Sequence, residues 1–259
     1  MTGTAGNNQA RHYDAILEDY DRHYYDPYSL QYREKFILQP LLAGLDLHGK
    51  RVADLASGSG ETSAYLARMF PGIQLLGFDI SPEACRRYRA RTGRPAKQLD
   101  LTKELYQGEP FDAAIIMGGL HHCVANLPHT LAVVASMLRP GGSFLMFEPN
   151  REYVLESVRQ VWYRWDRYFD AANETALSHD ALLQLAAGSF ACERLRYFGG
   201  PAFFIVYNSL VFRIPHWTKS IISPGLIEAE ALYNRLPGRA LFASFTARWT
   251  RTQVAPAAL

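Results

Sequence analysis

From residue 51 onward, short apolar runs alternate with stretches whose apolar positions recur at helical spacing. Residues 51–55, 73–78, 97–99, 113–117 and 143–148 read as strands, with helices beginning near Thr62, Pro82 and Asn126. The first of these helices spans 62–70. Ser81-Pro82 supplies an N-cap and a first helical residue for the second. Strands and helices in strict alternation predict a parallel, doubly wound α/β sheet. Upstream, Tyr13, Ile16, Leu17 and Tyr20 fall on one helical face, and Pro27 separates them from a second helix around 32–42. Past Pro149 the chain turns aromatic. A long helix is predicted over 153–169, another over 179–187 with Ser178 as N-cap, and strands over 190–198 and 241–249. The connection 199–239 between those strands is too apolar for disorder and too long for a simple turn.

A chain of 259 residues, 48% hydrophobic, suits one substantial domain with insertions, or a domain and a small cap. The net charge of +2 gives no field that would favour nucleic acid. Arg86, Arg87, Arg89, Arg91 and Arg94 form the one basic cluster and read as a solvated helix face. Cys85, Cys123 and Cys192 share no metal-ligand spacing, so no metal is expected, and they read as reduced thiols of a cytoplasmic protein. Residues 1–10 are small and polar, a disordered tail rather than a signal peptide. The apolar run 202–212 is far shorter than the roughly 20 residues a bilayer requires, so no transmembrane segment is expected.

The sharpest chemistry lies in Arg51-Val52-Ala53-Asp54-Leu55-Ala56-Ser57-Gly58-Ser59-Gly60-Glu61, with Asp79 closing the next apolar run. A buried strand followed by a small-residue turn lets a ligand approach the main chain at a helix N-terminus. An acid at the end of the second strand can bind both hydroxyls of a ribose. A dinucleotide turn needs a third small residue. Counted from Gly58 that position is Ser63, and counted from Ala56 it is Glu61, so the pattern fails both ways. Asp54 would repel a pyrophosphate but suits a cationic ligand. The residues thus favour S-adenosylmethionine (SAM) over NAD.

This segment resembles the first motif of class I SAM-dependent methyltransferases of the small-molecule type, with Ala56 in place of the first glycine. Further matches follow in order. Asp79-Ile80-Ser81-Pro82 resembles the ribose turn, Leu99-Asp100-Leu101 the adenine-edge turn and Phe111-Asp112 with Ile115-Ile116-Met117-Gly118 the fourth strand. Leu120-His121-His122 resembles the loop beyond it, and residues 138–144 the turn into strand five. The resemblance covers about residues 45–150 and implies a seven-stranded sheet whose last strand runs antiparallel to its neighbour. It implies cofactor contacts at Asp54, Ala56, Gly58, Gly60, Asp79, Ile80, Asp100, Leu101, Met117 and Gly118. Arg33 is the candidate partner of the cofactor carboxylate, and Asp54 of its amino group. Asp100 has a second reading as a helix N-cap.

One of His121 and His122 is expected to face the acceptor as base or positioning group. Glu148 is the next candidate base, or an acid satisfied by nearby backbone. These readings give a tail (1–10), a helical lid (11–44) with Tyr13, Tyr20, Tyr24, Tyr25, Tyr28 and Tyr32, a cofactor core (45–150), a helical cap with the sixth strand (151–238), and a last strand and tail (239–259). Phe203, Phe204, Ile205, Trp217, Ile221 and their apolar neighbours need a cover: the rest of the protein, a second subunit as in a homodimer, a membrane surface, or a bulky substrate. The expected activity is O- or C-methylation of a hydrophobic small molecule. A SAM-binding protein without methyl transfer and an NAD-dependent oxidoreductase are the alternatives. No Asn-Pro-Pro-aromatic or Asp-Pro-Pro-aromatic motif of nucleic-acid base methylation is present.

Overall fold

The computed structural model describes Tyr24 and residues 26–165, 175–186, 188–210 and 212–253. Seven strands form one sheet: β1 (Arg51–Leu55), β2 (Gln74–Asp79), β3 (Ala96–Gln98), β4 (Phe111–Met117), β5 (Leu138–Pro149), β6 (Phe190–Phe198) and β7 (Ser244–Arg251). Their order is β3-β2-β1-β4-β5-β7-β6, parallel through β5, with β7 antiparallel to both β5 and β6. The parallel strands sit between helices on both faces, which is why they read as unbroken apolar runs. Alternate residues part to opposite faces. Ala53, Ile116 and Phe144 enter one buried cluster with Trp249, while Val52, Ile115 and Leu145 enter another with Leu41 and Leu66.

The helices are α1 (27–42), α2 (Glu61–Met69), α3 (Pro82–Thr92), α4 (Leu127–Met137), α5 (Glu156–Trp165), α6 (His179–Leu185) and α7 (His216–Tyr233). Within α1 the turns widen to a π-helix at Glu34–Leu38. The arginines of the antiparallel strands meet its carbonyls: Arg196 donates to Phe36 O (2.8 Å), Arg194 to Pro40 O (3.1 Å) and Arg248 to Ala43 O (3.0 Å). A third cluster joins Tyr32, Phe36 and Ile37 of α1 to Phe147, Phe198, Phe203, Val206 and Ile227. The described residues of the connection 199–239 form a π-helical turn at Phe203–Tyr207 followed by α7.

Several boundaries differ from the sequence reading. Pro27 opens α1 rather than only ending a helix before it, because Asp26 caps the amides of Tyr28 and Ser29. The last strand begins at Ser244, not 241: Asn150 draws the carbonyls of Arg239 and Phe242 to its side chain, and this bends 239–243 off the sheet. The aromatic helix begins at Glu156, three residues late, and beyond Trp165 it passes outside the described residues. The helix predicted at Tyr13–Tyr20, Tyr25 and the tail 1–10 also lie outside them. On α3, Arg86 and Arg87 pair with Glu83, Arg91 with Glu61, and Arg89 donates to Ala96 O, as a solvated face should. No helix among the described residues is long and apolar enough to cross a membrane. Cys85, Cys123 and Cys192 are free, and the described residues contain no group that could hold a metal ion.

Candidate active site

The turn after β1 is pinned to the end of β2 by Ser57 N–H on Phe78 O (3.0 Å) and Gly58 N–H on the Asp79 carboxylate (2.9 Å). Asp79 also accepts from Ser81 N–H (2.9 Å), so its carboxylate is oriented before any ligand arrives. Ala56 takes a left-handed backbone, φ 47°. The angle that glycine would adopt freely is thus kept by an alanine, at a cost of roughly 1–2 kcal/mol. Gly60, φ 86°, opens α2, and a side chain there would strike Tyr88 at 2.8 Å. Tyr88 uses that space to reach Ser63 Oγ (2.7 Å), and Ser63 in turn donates to Asp54 (2.7 Å).

Asp54 is 1% exposed. Burial pushes its carboxyl up to about 7, with Asp79 adding to the rise and Ser63 and Arg33 opposing it. A cation docking beside it would restore the charge. Arg33, buried on α1, donates to Thr62 Oγ1 (2.5 Å) in the first turn of α2. Its charge also reaches Tyr207 of the π-helical turn. A buried guanidinium and a buried carboxylate therefore share one side of the turn.

The loop after β4 brings the third element. A side chain at Gly119 would meet Ala56 Cβ at 2.5 Å, so this loop lies directly against the glycine turn. Glu148, fully buried at the end of β5, accepts from the amides of Gly119 (3.1 Å), Leu120 (2.7 Å) and His121 (3.2 Å). His121 Nδ1 lies 2.7 Å from the same carboxylate. Burial holds the imidazole down near 3, helped by Arg159, and lifts Glu148 to about 8 against those three amides. The imidazole is thus neutral throughout the physiological range, with Nδ1 engaged and the Nε2 edge left over. The His122 ring lies tilted against it, with ring centres 3.9 Å apart.

Residues 53–144 match the methyltransferase-domain family. That segment, about a third of the chain, is similar to a methyltransferase domain. The chain is 29% identical over 143 residues to a fatty-acid O-methyltransferase of Mycolicibacterium smegmatis, covering 54% of this chain and 49% of that protein. It is 30% identical over 101 residues to a phthiotriol/phenolphthiotriol dimycocerosates methyltransferase of Mycobacterium leprae, covering 38% and 37%. The chain thus spans half or less of the length of these relatives. In fold it is similar to a mycolic acid cyclopropane synthase solved with SAH and CTAB (TM-score 0.66, 14% identity, 96% and 98% covered). It is also similar to a SAM-dependent methyltransferase from Thermotoga maritima (TM-score 0.63, 16% identity, 93% and 98% covered).

The methyltransferase site fits SAM on its own residues. Ser57 Oγ is buried with no hydrogen-bond partner, and the space above Gly58 is open. Asp54 and Arg33 offer an anion and a cation to the two charged groups of an amino acid. Among the remaining sequence candidates, Ile80 and Met117 are half-buried at the ends of β2 and β4, and Gly118 turns the chain beside Phe147. Asp100 closes a turn after β3, with no helix behind it: Oδ1 accepts from the Thr102 amide and hydroxyl and Oδ2 from Lys103, and Leu101 is buried in the core. Glu148, offered as a base or as an acid satisfied by nearby backbone, is enclosed by three amides and lies on His121 Nδ1. The sequence reading missed Thr62, Ser63, Tyr88 and Tyr207. Only Thr62 and Ser63 carried a signal, as hydroxyls in the first turn of the helix below the glycines.

Proposed function

We propose that the chain transfers the methyl group of SAM to an oxygen or carbon atom of a hydrophobic small molecule. The observation that carries this reading is the His121–Glu148 pair, set on a loop whose backbone abuts the glycine turn at Ala56. When bound, SAM supplies a methyl group made electrophilic by its sulfonium. Asp79 would hold the ribose, Asp54 the amino group and Arg33 the carboxylate. With its carboxylate ionised, Glu148 accepts Nδ1–H and offsets the charge that His121 gains as Nε2 takes the acceptor's proton, so this base works above the range in which Glu148 is protonated. Alignment of the acceptor does the rest, because an in-line displacement tolerates little misplacement.

The acceptor class rests on the aromatic wall that the cap adds at the end of β5. Phe147 packs 6.0 Å from Tyr207 and 6.5 Å from Phe203, centre to centre, and Phe204 stacks on Tyr153 at 5.9 Å. Such a wall excludes water and prefers apolar ligands. The lipid acceptors printed in the names of two relatives point the same way. Three free thiols suit a reducing cytoplasm. The test is mass spectrometry of products from SAM and a panel of fatty acids, phenols and isoprenoids. The expected result is an apolar acceptor heavier by one methylene unit, formed with equimolar S-adenosylhomocysteine. Calorimetry showing NAD binding and no response to SAM would sink it.

A further inference from the structure

Arg33 belongs to α1, outside the alternating core, and α1 is held by the helix inserted between the last two strands. Two buried polar clasps make the connection. Lys219 of α7, 1% exposed, pairs with Asp26, the N-cap of α1, and donates to Ser29 Oγ (2.7 Å) and Ser209 Oγ (3.0 Å). Three turns further along α7, Glu230 is fully buried and accepts from Tyr32 OH at 2.7 Å. The amides of Gly200 (2.8 Å) and Ala202 (3.0 Å) fill the rest of that carboxylate. Tyr32 is the residue before Arg33, and the π-helical stretch begins directly after it.

Buried charges are a weak source of stability, since well-packed apolar side chains often serve as well. Their geometry is what they add. Two contacts about 16 Å apart along one helix, at 1.5 Å per residue, set both the position and the roll of the helix they grip.

We propose that Glu230 and Lys219 are positioning residues for the cofactor carboxylate, acting through α1 to hold Arg33 over the glycine turn. This rests on the reading of Arg33 as that carboxylate's partner. The insertion between β6 and β7 is then part of the cofactor site and not only a roof for the acceptor.

The test compares two ligands by calorimetry: S-adenosylhomocysteine, and 5′-methylthioadenosine, which keeps the nucleoside but lacks the amino-acid end. Arg33→Ala should weaken the first about 10- to 100-fold and leave the second unchanged. Tyr32→Phe removes only the α1 side of the Glu230 clasp and leaves its two amides in place. It should weaken S-adenosylhomocysteine about two- to tenfold and spare methylthioadenosine. Glu230→Ala and Lys219→Met should show the same selectivity with a larger loss, Glu230→Gln should restore most of it, and Tyr32→Phe should add nothing in the Arg33→Ala background. Equal weakening of both ligands in folded Tyr32→Phe, no weakening at all, or losses that multiply with Arg33→Ala would overturn the positioning role. Should Glu230→Ala fail to fold, Tyr32→Phe and Lys219→Met decide the matter. If Arg33→Ala itself does not discriminate between the ligands, the carboxylate reading fails first and the proposal falls with it.

Discussion

The two ends of the cofactor site are built in opposite ways. At the proposed ribose end, Asp79 at the end of β2 is oriented by Gly58 of the turn after β1 and by Ser81 of the turn that follows, all within about 30 residues of chain. At the amino-acid end, Arg33 meets Thr62 from another helix, and the residue beside it is held by Glu230, 198 positions away. The first end is assembled by local backbone geometry and tolerates change elsewhere. The second exists only because a distant insertion packs on the lid. On this reading, nucleoside recognition and amino-acid recognition are separable properties of this chain.

The catalytic loop lies where the two halves meet, and its loss should be the largest effect. His121→Ala should lower single-turnover methyl transfer by about 10²–10⁴-fold while leaving affinity for S-adenosylhomocysteine within about twofold. The wild-type rate should also depend on pH. Below about 8, Glu148 keeps its proton and directs it at Nδ1, which leaves hydrogen on Nε2; above it, the carboxylate accepts Nδ1–H and frees the Nε2 lone pair. The rate should rise through that range and then level. A flat profile with an active His121→Ala enzyme would move the base elsewhere.

Next in size is Asp79→Ala. It removes two charge-assisted bonds to the ribose, each worth roughly 1.5–3 kcal/mol. Because the ribose is common to both ligands, S-adenosylhomocysteine and methylthioadenosine should lose one to several decades of affinity together, the reverse of the Arg33 pattern. A selective loss would abolish the division between the two ends. The smallest effect should come from Trp217→Ser. Trp217 is 68% exposed, so the change should alter cofactor binding less than twofold. Phe204→Ser, which breaks the stack on Tyr153, should weaken the acceptor. A shift from dimer to active monomer with Trp217→Ser would make this face of α7 a subunit contact.

The same contrast explains what could be read from the chain. The alternation of strands and helices, the turn at 56–60 and the place of Asp79 at the end of β2 were legible because each is a contiguous pattern whose physics is local. Ala56 hid nothing, since the turn imposes its angle on an alanine. Asp100 carried two readings because the same residue type caps helices and binds adenine edges, and the turn it closes onto Thr102 and Lys103 has no helix behind it. Glu148 also carried two readings. That of an acid satisfied by backbone describes its hydrogen bonds, but nothing in the sequence shows that the three amides come from the loop after β4. The list of apolar residues in 199–239 also divided in a way periodicity could not foresee: Phe203, Val206, Leu210 and Ile227 are buried, whereas Phe212, Trp217 and Ile221 face outward.

The register that joins Phe198 to Ser244 across the insertion has a consequence for how the protein comes into being. A hairpin closed over so long a loop gains its contacts only after a large entropic cost is met. During synthesis the amino-terminal portion emerges and collapses first. A nascent chain can therefore shape the nucleoside pocket long before α7 and β7 leave the ribosome. Such a chain would hold adenosine-like ligands while still unable to grip their amino-acid tail. Competence to discriminate the full cofactor from its fragments arrives only once α7 and β7 have emerged and closed over the earlier strands.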